Sequence, residues 1–285
     1  KKILIYNSGG GLGDSIQLFP LILSLQNHFK SADFYYQDSL GAKYFSGKLK
    51  DYNIKIKNIN LGLEHFGFRW WHFFKAKSEF LKLRLGIDKF DLVIDIQSKI
   101  RNTLILRRIP THHFYSSTYN YFFCFYKKKY IDNENVNKRT ISNLEKFYDT
   151  NIQKINYNLE LINKTFIDEA IKLLPDNNYI GFSITHGNEY RKKHWPLNKF
   201  IELAKEIKLQ KKIPVFFIKK KNIEIINEIK SKIPNALFPE LNSNLASPVL
   251  VTALASRLEK GISIDNGVMH MMSLANIPII VLFGP

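Results

Sequence analysis

The chain has 285 residues, of which 45% are hydrophobic, and this length and composition suit a globular protein of two domains. Its apolar stretches are far shorter than the ~18 residues of a membrane-spanning helix, so the sequence predicts no such helix. The single cysteine, Cys124, excludes an internal disulfide and favours a reducing compartment. We therefore expect the protein in the cytoplasm.

The net charge at pH 7 is +17, and the excess lies mainly in the first half. Residues 1–160 contain 25 Lys and Arg against 14 Asp and Glu, and residues 161–285 contain 17 against 11. Such a balance favours nucleic acid or an anionic membrane surface as a partner. The alternative is a biased composition, because Lys greatly outnumbers Arg and the chain is rich in Asn and Ile. The sequence contains no recognised nucleic-acid-binding module, so we expect no nucleic acid partner.

The first half begins with a predicted buried strand over 3–6, a glycine-rich loop over 7–13, and an apolar helix over 14–30. The third glycine of the dinucleotide-binding fingerprint is replaced by Asp14, which disfavours dinucleotide binding. Two interpretations of Asp14 stay open. It caps the helix in a capping box with Gln17, or it lies at the mouth of the glycine-rich loop and acts as a general base.

Further strands are predicted over 32–36, 54–59 and 90–96. Asp91 and Asp95 belong to the last of these, and we expect them to serve as caps or loop contacts rather than as metal ligands. The adjacent His112 and His113 have no carboxylate or cysteine at ligand spacing, so we expect no zinc site.

Two segments combine aromatic and basic residues: 66–86 (FGFRWWHFFKAKSEFLKLRLG) and 112–130 (HHFYSSTYNYFFCFYKKKY). Amphipathic helices of this composition can lie in the plane of an anionic membrane surface. The alternative is a core helix with a solvated face, because aromatic side chains usually pack internally. Both interpretations stay open.

The second half repeats the alternation of strands and helices. Strands are predicted over 179–184, 213–218, 262–264 and 279–283, and helices over 166–174, 198–208, 223–232, 249–258 and 268–274. This pattern predicts an α/β protein of two Rossmann-like domains, with the ligand site in the cleft between them. In the closing βαβ unit, Asp265, Asn266 and Gly267 lie between a strand and a helix, where open α/β sheets bind phosphate.

Three sequence blocks stand out: Gly13-Asp14 followed by Pro20, His186-Gly187 leading to Lys193-His194-Trp195-Pro196, and Asp265-Asn266-Gly267-Val268-Met269-His270 followed by Phe283-Gly284-Pro285. In their order and spacing these blocks resemble the heptosyltransferases of lipopolysaccharide core synthesis, glycosyltransferase family nine. Residues 90–97 also look like the family's D-L-V-I-D strand. The resemblance implies a GT-B fold, with an acceptor-binding domain over 1–160 and a nucleotide-sugar-binding domain over 161–285 facing it across a cleft.

The resemblance also implies an inverting, metal-independent transfer of a heptose-like sugar. The implied donor is a nucleoside-diphosphate sugar such as ADP-heptose, with no cofactor, and the acceptor is a lipopolysaccharide-core or other cell-envelope glycan. Asp14 is implied as the general base, and Lys193 as a ligand of the donor diphosphate. The other residues implied on the donor side are Asp265, Asn266, Gly267, His270, Gly187, Asn188 and Glu224, and those implied in the acceptor-side loop are Gly11 and Gly13. For His270 a packing role is the alternative. A lipid-linked acceptor makes contact with the inner face of the cytoplasmic membrane a further hypothesis.

Three departures from the family pattern bear on these roles. Lys219-Lys220-Lys221 precede Glu224 where many relatives have glycines, and Asn266 stands where Thr or Ser is usual. Relatives continue beyond the position of Pro285 into terminal helices, so either those helices are absent from this sequence or this is a short member. The alternatives are therefore a non-catalytic nucleotide-sugar-binding protein and, on the same fold, a nucleotide-sugar epimerase.

Overall fold

The structure is a computed structural model that describes residues 1–7, 11–38, 43–62, 68–125, 129–132, 135–185 and 195–283. The chain divides into two compact units. The first comprises Lys1–Lys50 and Ile54–Tyr157, and the second comprises Asp51–Asn53 and Asn158–Pro285.

The first unit is built on a parallel sheet of five strands in the order β3-β2-β1-β4-β5. The strands are β1 (Lys2–Tyr6), β2 (Asp33–Gln37), β3 (Lys57–Asn58), β4 (Phe90–Asp95) and β5 (Thr111–Ser116). The helices are α1 (Leu12–Gln17), α2 (Phe19–His28), α3 (His72–Lys82), α4 (Ile100–Leu106) and α5 (Val136–Tyr148). In the central strand Ile3 lies opposite Phe34 on one side and Leu92 on the other. Such a strand is buried on both faces, which is why its sequence is a continuous apolar run.

The single helix predicted over 14–30 is wrong, because two helices meet at Leu18 instead. Pro20 lies in the first turn of α2 and has no N–H to donate to the carbonyl of Ile16. The first helix therefore ends at Gln17, and the second begins at Phe19 with Pro20 in its first turn.

The strand predicted over 54–59 is also shorter in the structure. The N–H of Ile56 donates to the carbonyl of Ile54 at 3.0 Å, and this tight turn interrupts the extended backbone. Only Lys57–Asn58 then pair with β2.

The second unit has a parallel sheet of four strands in the order β7-β6-β8-β9. The strands are β6 (Tyr179–Ser183), β7 (Ile213–Phe216), β8 (Leu258–Ile264) and β9 (Ile279–Leu282). The helices are α6 (Lys164–Leu173), α7 (Leu197–Leu209), α8 (Ile223–Lys232), α9 (Pro248–Ala255) and α10 (Gly267–Leu274). All four strands predicted for this half are present. The helix predicted over 249–258 ends at Ala255, because Leu258 already pairs with β6.

A short 3-10 helix at Lys50–Tyr52 brings Tyr52 into the core of the second unit. The buried Tyr52 hydroxyl donates to the carbonyl of Pro248 at 2.8 Å and lies 2.6 Å from Thr252 Oγ1. Asn53 Nδ2 donates to the carbonyl of Leu161 at 2.6 Å. The predicted domain boundary after Glu160 leaves Asp51–Asn53 in the first domain. No local sequence signal shows that so short a segment belongs to the second unit.

Within the described part of the chain, we find no helix with the length and apolar character needed to cross a bilayer.

Candidate functional site

The connections of the second sheet diverge between two neighbouring strands. β6 leads through α7 to β7 on one side, whereas β8 leads through α10 to β9 on the other. Open parallel sheets bind ligands at such a switch point, outside the carboxyl ends of the strands. Thr185 follows β6 at this edge, and Asp265 and Asn266 follow β8. The switch point therefore coincides with the last of the three sequence blocks.

Asn266 joins the ends of these two strands and starts α10. Its Oδ1 accepts a hydrogen bond from the N–H of Met269 at 3.0 Å, which is the contact of a helix N-cap. Its Nδ2 donates to Ser183 Oγ at 2.7 Å and to the carbonyl of Thr185 at 3.0 Å. The shorter Ser or Thr side chain can make the cap but cannot also reach across to β6. This is a structural reason for asparagine at this position.

The first turn of α10 supplies backbone N–H groups at the same edge. Asn266 occupies the N–H of Met269, while those of Gly267 and Val268 have no acceptor within the helix. Such groups, together with the positive end of the helix dipole, bind phosphate. The helix packs closely on β8 because Gly261 has no side chain: a Cβ there would lie 2.7 Å from Met272 Sδ.

Asp265 and His270 flank this turn, and both are half-buried. Asp265 directly precedes the N-cap, and His270 lies one turn into the helix. The structure thus brings Asp265, Asn266, Gly267 and His270 together in one short segment. Their roles toward a donor stay predictions.

Of the remaining predicted donor residues, Gly187, Asn188 and Lys193 lie outside the described residues, so their predicted roles stay predictions. Glu224 is exposed in the first turn of α8, which follows the neighbouring strand β7. Its predicted contact with a ribose stays a prediction.

Glu240 is a candidate residue that the sequence did not reveal. Leu237 forms a parallel bridge with Val215 of β7, and the chain then continues into a 3-10 helix, Pro239–Asn242, beyond that strand. Burial raises the pKa of the Glu240 carboxyl to about 6, and the charge of Lys219 opposes this shift. In the sequence, the only signal for Glu240 is a carboxylate that follows the apolar residues Leu237 and Phe238. The bridge between Leu237 and Val215 joins a single residue on each side, so it leaves no periodic pattern in the sequence.

The first unit has a corresponding switch point between β1 and β4. Gln97 Nε2, after β4, donates to Asn7 Oδ1, after β1, at 2.7 Å. Asn7 Nδ2 donates to the hydroxyl of Tyr36 at 3.0 Å, and that hydroxyl lies 2.9 Å from Ser15 Oγ in α1. A continuous chain of hydrogen bonds therefore connects the sheet edge to the helix that carries Asp14.

Asp14 is exposed at the third position of α1, and its Oδ2 accepts a hydrogen bond from the N–H of Gly11 at 2.5 Å. The predicted capping box with Gln17 is wrong, because the helix begins at Leu12 and Asp14 caps backwards onto Gly11. Gly11 is the N-cap residue, and Gly13 lies inside the helix rather than in the predicted loop. The capping role of Asp14 is thus observed, while its role as a base stays a prediction.

Asp95 makes the loop contacts predicted for it, whereas Asp91 contacts the first residue of the neighbouring strand β1. Asp91 Oδ2 accepts from the N–H of Lys2 at 2.6 Å. The buried Asp95 carboxylate accepts four hydrogen bonds of 2.6–3.2 Å, from the N–H groups of Gln97 and Ser98 and the hydroxyls of Thr103 and Ser116. Burial raises the pKa of Asp95, and these hydrogen bonds oppose the shift. Across the described ranges, no group of three or more His, Cys, Asp or Glu residues could hold a metal ion.

Comparison with known proteins gives a consistent family assignment. The model of glycosyltransferase family 9 (heptosyltransferase) matches residues 80–285, well over half of the chain. Lipooligosaccharide heptosyltransferase 2 of Campylobacter jejuni serotype O:2 is 23% identical over 286 residues, covering 96% of this chain and 78% of that protein.

Two solved structures are similar over nearly the whole chain. The family 9 glycosyltransferase of Veillonella parvula has a TM-score of 0.68 at 18% identity, covering 99% of this chain and 80% of its own. E. coli heptosyltransferase WaaC with ADP-2-deoxy-2-fluoro heptose has a TM-score of 0.66 at 16% identity, covering 99% and 88%. These likenesses confirm the predicted GT-B fold class of two Rossmann-like domains. The chain therefore belongs to glycosyltransferase family 9, the heptosyltransferase family, and is a glycosyltransferase.

Proposed function

We propose that this glycosyltransferase moves a heptose-like sugar from a nucleoside-diphosphate sugar, with ADP-heptose as the first candidate, to a lipopolysaccharide-core or other cell-envelope glycan. The observation that carries the proposal is the α10 N-terminus at the switch point of β6 and β8, where Asn266 holds the cap. The similarity to lipooligosaccharide heptosyltransferase 2 and to a heptosyltransferase with an ADP-heptose analogue supports the choice of sugar and acceptor.

The second unit is assigned to the donor. The N–H groups of Gly267 and Val268, together with Lys193, bind the diphosphate and stabilise the negative charge that develops as it leaves. This arrangement supplies positive charge without a metal ion. Asp265 and His270 contact the donor beside the phosphate, Gly187 and Asn188 belong to the same donor-binding block, and Glu224 binds the ribose.

The first unit is assigned to the acceptor, with Asp14 as the general base. The acceptor oxygen bonds to the anomeric carbon as the bond between that carbon and the donor phosphate oxygen breaks. The hydroxyl proton passes to Asp14, and the electron pair leaves with the diphosphate. A single displacement of this kind inverts the anomeric centre.

We assign the enzyme to the cytoplasm, working at the inner face of the membrane.

Asp14→Asn tests the base. Its amide oxygen can still accept from the N–H of Gly11, so the loss of stability should be at most about 1 kcal/mol. Removal of a general base should lower kcat by about 100-fold or more, while the Kd for ADP should stay within about twofold. Asp168→Asn is the matched control, because Asp168 is exposed on α6 and has no assigned role.

Turnover would be followed as ADP released from ADP-heptose in the presence of core oligosaccharide. An unchanged kcat in Asp14→Asn would show that Asp14 is not the general base. If the affinity for ADP fell by the same factor as kcat, Asp14 would have only its structural role as a helix cap.

Screening nucleotide sugars by thermal shift would distinguish the alternatives, because a specific donor raises the melting temperature by mass action. Binding without turnover on any acceptor would indicate a non-catalytic nucleotide-sugar-binding protein. Interconversion of the free nucleotide sugar in the absence of acceptor would indicate an epimerase. The match to the transferase family model favours transfer over both.

A further inference from the structure

Helix α3 has apolar residues on two opposite faces. His72, Ala76 and Phe80 are buried at a spacing of four residues, and Ala76 and Phe80 belong to the apolar core of the first unit. On the other side Trp71, at the N-cap, is 48% exposed, Phe74 is 83% exposed and Leu81 is 59% exposed. A helix at the surface of a globular protein normally has one apolar stripe, so the outward stripe needs a separate explanation.

Basic residues lie along both sides of the outward stripe. At 100° per residue, Phe74 and Leu81 lie about 20° apart, Lys77 lies on one side of them, and Lys75 and Lys82 lie on the other. Over residues 68–84 the basic residues are Arg69, Lys75, Lys77, Lys82 and Arg84, and the only acidic residue is Glu79. Glu79 pairs with Lys82 at 2.7 Å and offsets one of these five positive charges, so the segment keeps an excess of four.

The two aromatic-basic segments noted in the sequence meet through the end of α4. The guanidinium of Arg108 lies 5.0 Å from the ring centroid of Phe73 in α3. The neighbouring Arg107 lies 4.3 Å from the ring centroid of Phe125, which ends the turn after β5. That turn exposes Tyr119 and Phe122, at 70% and 71%. The two segments are far apart in the sequence, since Arg69 and Phe122 are separated by 53 positions. Through Arg107 and Arg108 they nevertheless contribute to one connected surface.

We propose that this surface, defined by Trp70, Trp71, Phe74, Leu81, Arg107, Arg108, Tyr119 and Phe122, binds the anionic surface of a lipid bilayer. Trp and Tyr are the residues enriched at the level of lipid headgroups. Lys and Arg beside them attract anionic lipids, and their aliphatic stems can lie along the apolar surface. The excess of positive charge favours a bilayer over an apolar protein partner. The proposal concerns where the protein works and does not depend on its sugar donor.

Vesicle binding of the full chain tests the proposal. Sedimentation with vesicles of phosphatidylcholine alone, or with 30% phosphatidylglycerol, would be compared at low and high salt. We expect binding to the anionic vesicles only, weakened at high salt. Phe74→Ser should lower the partition coefficient about tenfold. Arg107→Gln with Arg108→Gln should lower it about fivefold for each charge.

Matched controls come from α7 in the second unit. Leu209→Ser removes a side chain that is 77% exposed, and Lys205→Gln with Lys208→Gln removes two exposed charges. Tryptophan emission adds a local readout: in a Trp195→Phe background only Trp70 and Trp71 remain, and their emission should shift to the blue on anionic vesicles.

Three results would overturn the proposal. The first is equal binding to neutral and anionic vesicles. The second is an equal loss of binding in the α7 controls, which would mean that net charge alone is responsible. The third is a concentration-dependent dimer of the wild type that Phe74→Ser abolishes, which would assign the surface to a second copy of the chain. Unchanged urea unfolding of each variant confirms that the compared proteins are folded.

Discussion

The Asn266 side chain has two structural roles, and substitutions can separate them. One contact caps α10 through the N–H of Met269, and the other joins β8 to the end of β6 through Ser183 and Thr185. Asn266→Ser keeps an oxygen for the cap but cannot reach β6. Asn266→Ala removes both contacts.

The expected losses follow from the hydrogen bonds. Loss of an N-cap costs about 1 kcal/mol. Each of the two contacts to β6 contributes about 1 kcal/mol, since both acceptors are partly buried. We therefore expect a loss of about 2 kcal/mol in the free energy of unfolding for Asn266→Ser and about 3 kcal/mol for Asn266→Ala.

Urea unfolding would measure these losses in a background with Trp70→Phe and Trp71→Phe. Trp195, whose ring packs 4.7 Å from Phe200, then reports on the second unit alone. The midpoint should fall while the m-value stays constant. Titration with ADP should show weaker binding in both variants, because the N–H groups of the first turn lose their fixed orientation. If the free energy of unfolding of Asn266→Ser lay within about 0.5 kcal/mol of the wild-type value, the contact between β8 and β6 would not be a source of stability.

Two further substitutions test buried polar groups. The pKa of Glu240 is about 6 in the native state, above its ordinary value of 4.5, so the native state favours the protonated carboxyl. Ionisation of Glu240 therefore lowers the stability of the fold as the pH rises from 4.5 through 6. Glu240→Gln should therefore stabilise the protein by about 1–2 kcal/mol at pH 7.5 and leave it unchanged at pH 4 in urea unfolding at both values; equal effects at both pH values would contradict this reasoning. Tyr36→Phe leaves Asn7 without an acceptor beside α1 and should cost about 1–2 kcal/mol by the same measurement, whereas a neutral effect would mean that the hydrogen-bond chain is not stabilising.

The central strands were predictable because each is buried on both faces and therefore has a continuous apolar sequence. β1, β4 and β6 illustrate this, because nearly all of their residues are buried. The apolar run of β9 was also recognised, although this edge strand is only partly buried. The errors lie where local and tertiary signals compete. The break at Leu18 depends on one missing N–H at Pro20, and hydrophobic periodicity continues through it.

The candidate site shows the same division. The segment 265–270 was found from a turn between a strand and a helix, since the capping residue and the helix are neighbours in the sequence. The contact of Asn266 with Ser183 and Thr185 joins positions about 80 residues apart, and only the pairing of β6 with β8 brings them together.

The amino-acid sequence by itself determined the α/β class, the alternation of elements and the position of the turn that precedes α10, because these depend on residues within one or two elements of each other. Only the tertiary structure decided that Tyr52 belongs to the second unit and that Arg107 and Arg108 join two distant aromatic segments. Contacts of this kind are set by how sheets and helices pack, and no periodicity of the chain encodes them.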